Sequence, residues 1–300
     1  MIEGYKTESY KITTLKRNTT LQGQYEILPN VAYSDDGRDG QTLTLIEPWA
    51  LTSTEERIVP PEPRPLIVFV QGSAWTTPNV FYQLPQLVRF AKEGFVVASV
   101  VHRNCLEGYP APAFLEDVKC AIRFLRKNAA QFAIDGERVA IWGTSSGGNS
   151  ALLVGLTEDE DEYKTDEWHE FSDAVKLVVA CFAPTDLPEL IEHDFAQIED
   201  GDAIVTALLG DDRSAWKEKA KRLSPLHLVK EGKSYPPFML LHGTKDDLVS
   251  YQRHFLPMCR RLADVGACLE AVAVEGAGHE GSFWSEGVYD TILEFIRRHI

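Results

Sequence analysis

Apolar residues in this 300-residue chain fall into two alternating arrangements: short continuous runs, and longer stretches with helical spacing. Leu66–Val70 and Phe95–Val101 are nearly unbroken apolar runs, the signature of buried strands. Between them a helix is expected over part of Val80–Glu93, with Pro85 near its start, since a proline further in would break the hydrogen-bond ladder. Ala113–Asn128 places Phe114, Val118, Ala121, Ile122 and Leu125 at helical spacing. Val139-Ala140-Ile141-Trp142, Val175–Cys181 and Phe238–Leu241 read as further strands. Leu269–Val274 alternates, and Tyr289–Ile300 reads as a closing amphipathic helix. Leading strands are expected around Tyr10–Leu15 and Thr42–Ile46, with turns at Asp35-Asp36-Gly37 and Asp39-Gly40. The proline-rich stretch Glu55–Pro65 is an extended approach to the first buried strand. Strand and helix in alternation predict an α/β fold, a mostly parallel sheet with helices on both faces. Between Leu187 and Pro236 the alternation stops. Helical pieces over Ala203–Leu209 and Ser214–Arg222, broken by Gly210-Asp211-Asp212 and Ser224-Pro225, take its place. A segment that long exceeds an ordinary loop. The expectation is a single domain over 1–300 with a small helical cap inserted at 187–236; a surface connection is the alternative.

Composition fits a globular chain, and charge narrows its partners. Apolar residues make up 44% and charged residues 25%, enough for a substantial core. The net charge of −15 disfavours nucleic acid and anionic membrane surfaces as partners. No apolar stretch approaches bilayer length. Met1–Tyr10 is polar and lacks a signal-peptide core. Cys105, Cys120, Cys181, Cys259 and Cys268 have neither a disulfide framework nor metal spacing, and Cys181 reads as a buried thiol. A cytoplasmic location is expected; oligomeric state is open. The acidic run Glu158–Glu162 lacks the alternation and glycine turn of a calcium loop. His102, His227 and His242 show no ligand spacing. No metal or cofactor is expected.

The chemistry concentrates in three places. Val139–Trp142 runs into Gly143-Thr144-Ser145-Ser146-Gly147, and helix-compatible residues follow. Strand, tight turn and helix around Gly-x-Ser-x-Gly is the setting of a nucleophile elbow, with Ser145 lifted clear at the start of a helix. A nucleophilic serine needs a base, and the base an orienting carboxylate. Asp246 follows the strand ending in His242-Gly243, and His279 sits in the glycine-rich loop after Leu269–Val274. The order Ser145, Asp246, His279 is that of α/β-hydrolases. Asp186, which follows another strand, is a rival for the acid, and Asp247 is adjacent to the favoured one. Asp117 is expected to tie its helix to a loop.

With the elbow, the His-Gly-x-x-Asp turn, the Gly278-His279 loop and its trailing Ser282-Phe283-Trp284-Ser285, the chain resembles α/β-hydrolase esterases of the hormone-sensitive-lipase-like group. Within them it is similar to small carbohydrate esterases related to bimodular feruloyl and acetylxylan esterases. Ala183-Pro184-Thr185-Asp186-Leu187 and Tyr109–Val118 belong to the same resemblance, which runs from about Leu43 to the C-terminus. It implies a serine esterase acting on short acyl esters, acetyl or feruloyl groups on carbohydrate fragments. Relatives carry His-Gly-Gly-Gly or His-Gly-Gly-x-Trp after the third strand, whereas this chain has Gln71-Gly72-Ser73-Ala74-Trp75. An oxyanion hole built from backbone amides tolerates such changes. One donor is expected from the Ser73–Ala74 segment and one from Ser146. Trp75 and Trp284 flank these elements and are candidate substrate contacts. An amidase or peptidase on the same fold, or a non-catalytic binding protein, are the alternatives.

Overall fold

A computed structural model of the protein describes residues 12–16, 24–35, 40–48 and 62–300. Among these, eight strands form one sheet: β1 Tyr25–Ala32, β2 Thr42–Pro48, β3 Arg64–Val70, β4 Val96–Val100, β5 Ile134–Thr144, β6 Leu177–Cys181, β7 Phe238–Gly243 and β8 Leu269–Val274. Their order is β1-β2-β4-β3-β5-β6-β7-β8. The pairs β1–β2 and β2–β4 are antiparallel and the rest are parallel. The helices are α1 Leu84–Lys92, α2 Ala113–Lys127, α3 Ser146–Leu156, α4 Leu187–Glu189, α5 Gly201–Leu209, α6 Trp216–Arg222, α7 Pro225–Leu228, α8 Leu256–Asp264 and α9 Glu286–His299.

The unbroken apolar runs are explained by burial on both faces. Leu66, Val68 and Val70 of β3 join one core with α2, α3 and α8, while Ile67 and Phe69 join a second core with α1 and α9. In β5, Val139 and Ile141 point one way and Ala140 and Trp142 the other. A period of two with both sets apolar is what a central parallel strand requires. By contrast β8 sits at the sheet edge, and its alternation in sequence matches its alternating exposure. Pro85 stands in the first turn of α1, where its missing N–H costs nothing. Asp117 accepts from the Arg103 amide (2.7 Å) and from Gln41 Nε2 (2.7 Å), joining α2 to the loop after β4 and to the start of β2.

One expected element is corrected. Residues 12–16 have no regular structure, so no strand runs through Ile12–Leu15, and Tyr10 lies outside the described residues. The sheet begins instead with β1, whose register shifts between Leu28 and Val31 around Pro29 and Asn30. An edge strand tolerates that interruption, but it erases the alternation by which a strand is recognised. Asp36, Gly37 and Asp39 of the expected turns and residues 55–61 of the proline-rich stretch also lie outside the described residues.

Packing at the β5–α3 turn leaves no room for side chains at its glycines. A Cβ on Gly147 would lie 2.0 Å from the Val70 carbonyl oxygen, and one on Gly143 2.0 Å from the Gly147 carbonyl oxygen. Backbone on both sides cannot yield as a side chain would. Gly147→Ala is therefore expected to lower unfolding free energy by at least about 3 kcal/mol. Gly136→Ala, whose Cβ would meet nothing nearer than 3.5 Å, is the control. Urea midpoints of the two variants check this; equal midpoints would contradict the tight-turn packing.

Candidate active site

Ser145 is the hinge between β5 and α3. Its φ of 50° and ψ of −124° lie outside the regions ordinary residues prefer, a strain of the kind concentrated at functional sites. The Ser145 amide donates to the Cys181 carbonyl at the end of β6 (2.9 Å), which fixes the turn to the neighbouring strand. Gly72 comes equally close from the other side: a Cβ there would lie 2.6 Å from Ser145 Cβ.

Asp246 and His279 arrive on the turns after β7 and β8. Those turns touch because Gly243 has no side chain; a Cβ would meet the Ala277 carbonyl oxygen at 2.4 Å. His279 Nε2 lies 3.0 Å from Ser145 Oγ, and His279 Nδ1 lies 2.8 Å from Asp246 Oδ2. The Phe182 ring meets the imidazole edge-on, with centroids 4.6 Å apart. Asp246 is 8% exposed, and its Oδ1 accepts from the amides of Leu248 (3.0 Å) and Val249 (2.9 Å). A further histidine, His242, brings Nε2 to 3.1 Å from Asp246 Oδ2 and 2.8 Å from the Val249 carbonyl. Burial alone would raise the Asp246 carboxyl; hydrogen bonds from His242, His279 and the Val249 amide outweigh it and hold it well below the usual carboxylate range.

The structure therefore brings Ser145, Asp246 and His279 together and leaves the rival acids elsewhere. Asp186 caps α4, its Oδ1 accepting from the Glu189 amide (3.4 Å) and lying 3.4 Å from His227 Nε2. Asp247 is exposed. His102 is buried with Nδ1 2.9 Å from the Arg103 carbonyl.

In the loop after β3, the Gly72 amide donates to Thr144 Oγ1 (2.8 Å) and the Ser73 amide to Ser146 Oγ (2.9 Å). Ala74 and Trp75 both have positive φ, 51° and 58°. Ala74 lines the cavity beside Ser145, as does Ser146, the first residue of α3, whose amide precedes the intrahelical ladder. Gln71, which stands where the resemblance leads one to expect histidine, is buried; its Nε2 reaches Thr144 Oγ1 (3.2 Å) and Glu280 Oε1 (3.4 Å).

The cavity has a volume of about 310 Å³, at the lower end for small-molecule sites. Its walls are mainly apolar. Leu190, Phe195, Ile198 and Ile204 come from the segment after α4, facing Trp75, Leu248 and Val249. That segment is tied to the body by buried His254, whose Nε2 lies 2.9 Å from Asp194 Oδ2 while Nδ1 accepts from the Thr185 amide (3.2 Å). Trp75 is buried, with Nε1 3.3 Å from Asn149 Oδ1. Trp284 departs from expectation. It stacks on Tyr289 at 8°, donates its indole N–H to Glu280 Oε2 (2.7 Å), and does not line the cavity. Glu280, whose only signal in sequence was its place beside His279, does line it.

Among the described residues no group of three metal-ligating side chains converges, and no helix is long and apolar enough to cross a membrane.

Known proteins share this architecture. The esterase LipC of Mycobacterium tuberculosis is 29% identical over 255 residues, which are 83% of this chain and 58% of LipC. The chain spans about half the length of the curated relatives it matches. A truncated carbohydrate esterase from gut microbiota superposes with a TM-score of 0.73 at 24% identity, covering 91% of this chain and 96% of that one. Propionate-bound Est2 of the Planctomycetes species Thermogutta terrifontis superposes with a TM-score of 0.68 at 22% identity, covering 92% and 93%. These likenesses show the α/β-hydrolase fold. Since the BD-FAE family model matches residues 59–256, which hold the elbow serine and its acid, this chain belongs to the BD-FAE family.

Proposed function

We propose that this chain is a serine carboxylic-ester hydrolase that works through an acyl-enzyme on short acyl esters of carbohydrate. The observation that carries the proposal is the continuous contact Ser145 Oγ–His279–Asp246, at 3.0 and 2.8 Å, opening into an apolar cavity. With its proton on Nδ1, His279 donates to Asp246, and Nε2 is free to take the Ser145 proton as Oγ attacks the ester carbonyl. Negative charge develops on the carbonyl oxygen. The Ser73 amide is taken by Ser146 Oγ, so the donors assigned to the oxyanion are the amides of Ala74 and Ser146. Losing one such donor costs about 3 kcal/mol in the transition state. His279 then returns its proton to the departing alkoxide. Water, deprotonated by the same imidazole, cleaves the acyl-Ser145 ester to release the acid.

Residues 187–236 act as a cap in this scheme, because Leu190, Phe195, Ile198 and Ile204 wall the cavity. A cavity of about 310 Å³ suits acetyl to butyryl groups, in keeping with the propionate-bound state of Est2. Carbohydrate as the alcohol is supported by the carbohydrate esterase among the structural relatives. The test is hydrolysis of p-nitrophenyl acetate, butyrate and octanoate together with methyl ferulate. Acetate and butyrate are expected to exceed octanoate by at least about tenfold in kcat/KM. Faster ferulate than acetate turnover would move the acyl group to hydroxycinnamoyl. Absence of turnover of any ester by folded protein, or a preference for the anilide of the same acid, would overturn the proposal.

A further inference from the structure

Among the described residues lining the cavity, Glu280 is the one carboxylic acid, set beside apolar walls. A carboxylate there is costly unless its lone pairs are satisfied. Two neutral donors meet it, one on each oxygen: the Trp284 indole N–H (2.7 Å) on Oε2 and the long contact from Gln71 Nε2 (3.4 Å) on Oε1. A carboxylate has about four acceptor sites, so capacity remains on a residue that lines the cavity. Burial pushes the carboxyl above its ordinary range, against the lowering by Trp284, His279 and Gln71. The chain also holds this residue under strain. Glu280 has φ 63° and ψ −160°, a region almost restricted to glycine. Trp284, its strongest donor, is itself fixed by stacking on Tyr289 (5.1 Å).

Position assigns it to one half of the ester. His279 Nε2 must reach both Ser145 Oγ and the oxygen of the departing alcohol, so the alcohol lies on the histidine side of the nucleophile. Glu280 is the next residue along that loop. The apolar wall of Leu190, Phe195, Ile198 and Ile204 comes from a separate segment and suits the acyl chain.

We infer that the Glu280 carboxylate reads the alcohol half of the substrate, accepting hydrogen bonds from hydroxyls adjacent to the ester oxygen, so that polyol monoesters are selected over esters of simple alcohols. This rests on the esterase assignment above and adds the residue that sets its alcohol specificity. Hydroxyl-to-carboxylate bonds are charge-assisted, and a matched substrate lacking the hydroxyl leaves the remaining acceptor sites of this half-buried carboxylate unfilled. Together these predict a preference of about tenfold to a hundredfold in kcat/KM.

The experiment compares 1-monobutyrin with n-propyl butyrate, which share the acyl group and three-carbon alcohol and differ by two hydroxyls. Wild-type protein is expected to favour monobutyrin by about tenfold or more, the ratio to fall toward one in Glu280→Gln, and Glu280→Asp to keep part of it. Equal wild-type rates would overturn the inference without reference to any variant. So would a Glu280→Gln protein that slows both esters equally, since that marks a structural role. A stronger preference for butyrylcholine over 3,3-dimethylbutyl butyrate than for monobutyrin over propyl butyrate would assign Glu280 to cationic alcohols and likewise overturn it. Failure of the underlying esterase assignment looks different: neither ester turns over and a fluorophosphonate probe leaves Ser145 unlabelled.

Discussion

Ser145→Ala should lower hydrolysis of p-nitrophenyl acetate by about ten-thousandfold to a millionfold, while the protein stays folded. The size of the loss follows from the arrangement around the hydroxyl. Ser145 Oγ is the atom that His279 Nε2 faces at 3.0 Å, at the mouth of α3 and beside the amides assigned to the oxyanion. Removing it leaves a base without a nucleophile to activate. What remains is the contribution of substrate binding and the oxyanion donors, about a thousandfold to ten-thousandfold over water in the best-studied triads. Folding should be unaffected, because the turn is held by backbone. The Ser145 amide still reaches the Cys181 carbonyl, and Gly143 and Gly147 still pass each other. Alanine inherits the same unfavourable φ of 50°, so neither strain nor packing changes much. Steady-state rates alongside thermal melts test this directly. Residual activity above about one part in a hundred, in a variant melting with the wild type, would place the nucleophile elsewhere.

Both the centre of the sheet and the elbow were legible because each reflects one physical demand acting over neighbouring residues. Burial on two faces forces nearly unbroken apolar runs in β3, β4, β6 and β7, and backbone contact at the turn forces glycine at 143 and 147. Asp246 and His279 were legible for a similar reason, since each follows its strand by a short glycine turn. Local signal failed where contacts join distant parts of the chain. β1 has no fully buried residue and is interrupted at Pro29, so no alternation announced it. The cavity wall at Leu190–Gln197 is built from π and 3₁₀ turns, which have no 3.6-residue period to read. Gln71 and Glu280 are 209 residues apart and meet only in the folded molecule. Trp284 misled because adjacency to His279 in sequence suggested exposure to substrate, whereas stacking on Tyr289 holds it behind Glu280. His242 had no metal spacing and was unremarkable until the fold set it against Asp246.

Asp246→Asn should reduce kcat/KM for p-nitrophenyl butyrate by about a thousandfold to ten-thousandfold near pH 7. The carboxylate accepts four N–H groups: two backbone amides on Oδ1, and the rings of His279 and His242 on Oδ2. An asparagine must present its NH₂ to one of these pairs. The Leu248 and Val249 amides are fixed donors and cannot adapt, whereas an imidazole can move its proton. The amide nitrogen therefore turns toward His279, which accepts at Nδ1 and carries its proton on Nε2. That tautomer faces Ser145 with a hydrogen in place of a lone pair, and the base is lost although every atom stays nearly in position. Stability should respond as well. The folded-state pKa of Asp246 is depressed, so its charge stabilises the fold fully above the unfolded value near 4, and this is lost only as pH falls through the lower folded value. Asparagine removes the contribution at every pH, so the variant should melt below the wild type at pH 7 and the gap should narrow in strong acid. Asp186→Asn, altering only the cap of α4 and a contact to His227, is the comparison. Equal losses in the two variants, or activity in Asp246→Asn within about tenfold of wild type, would sink the assignment of Asp246 as the carboxylate that orients the base.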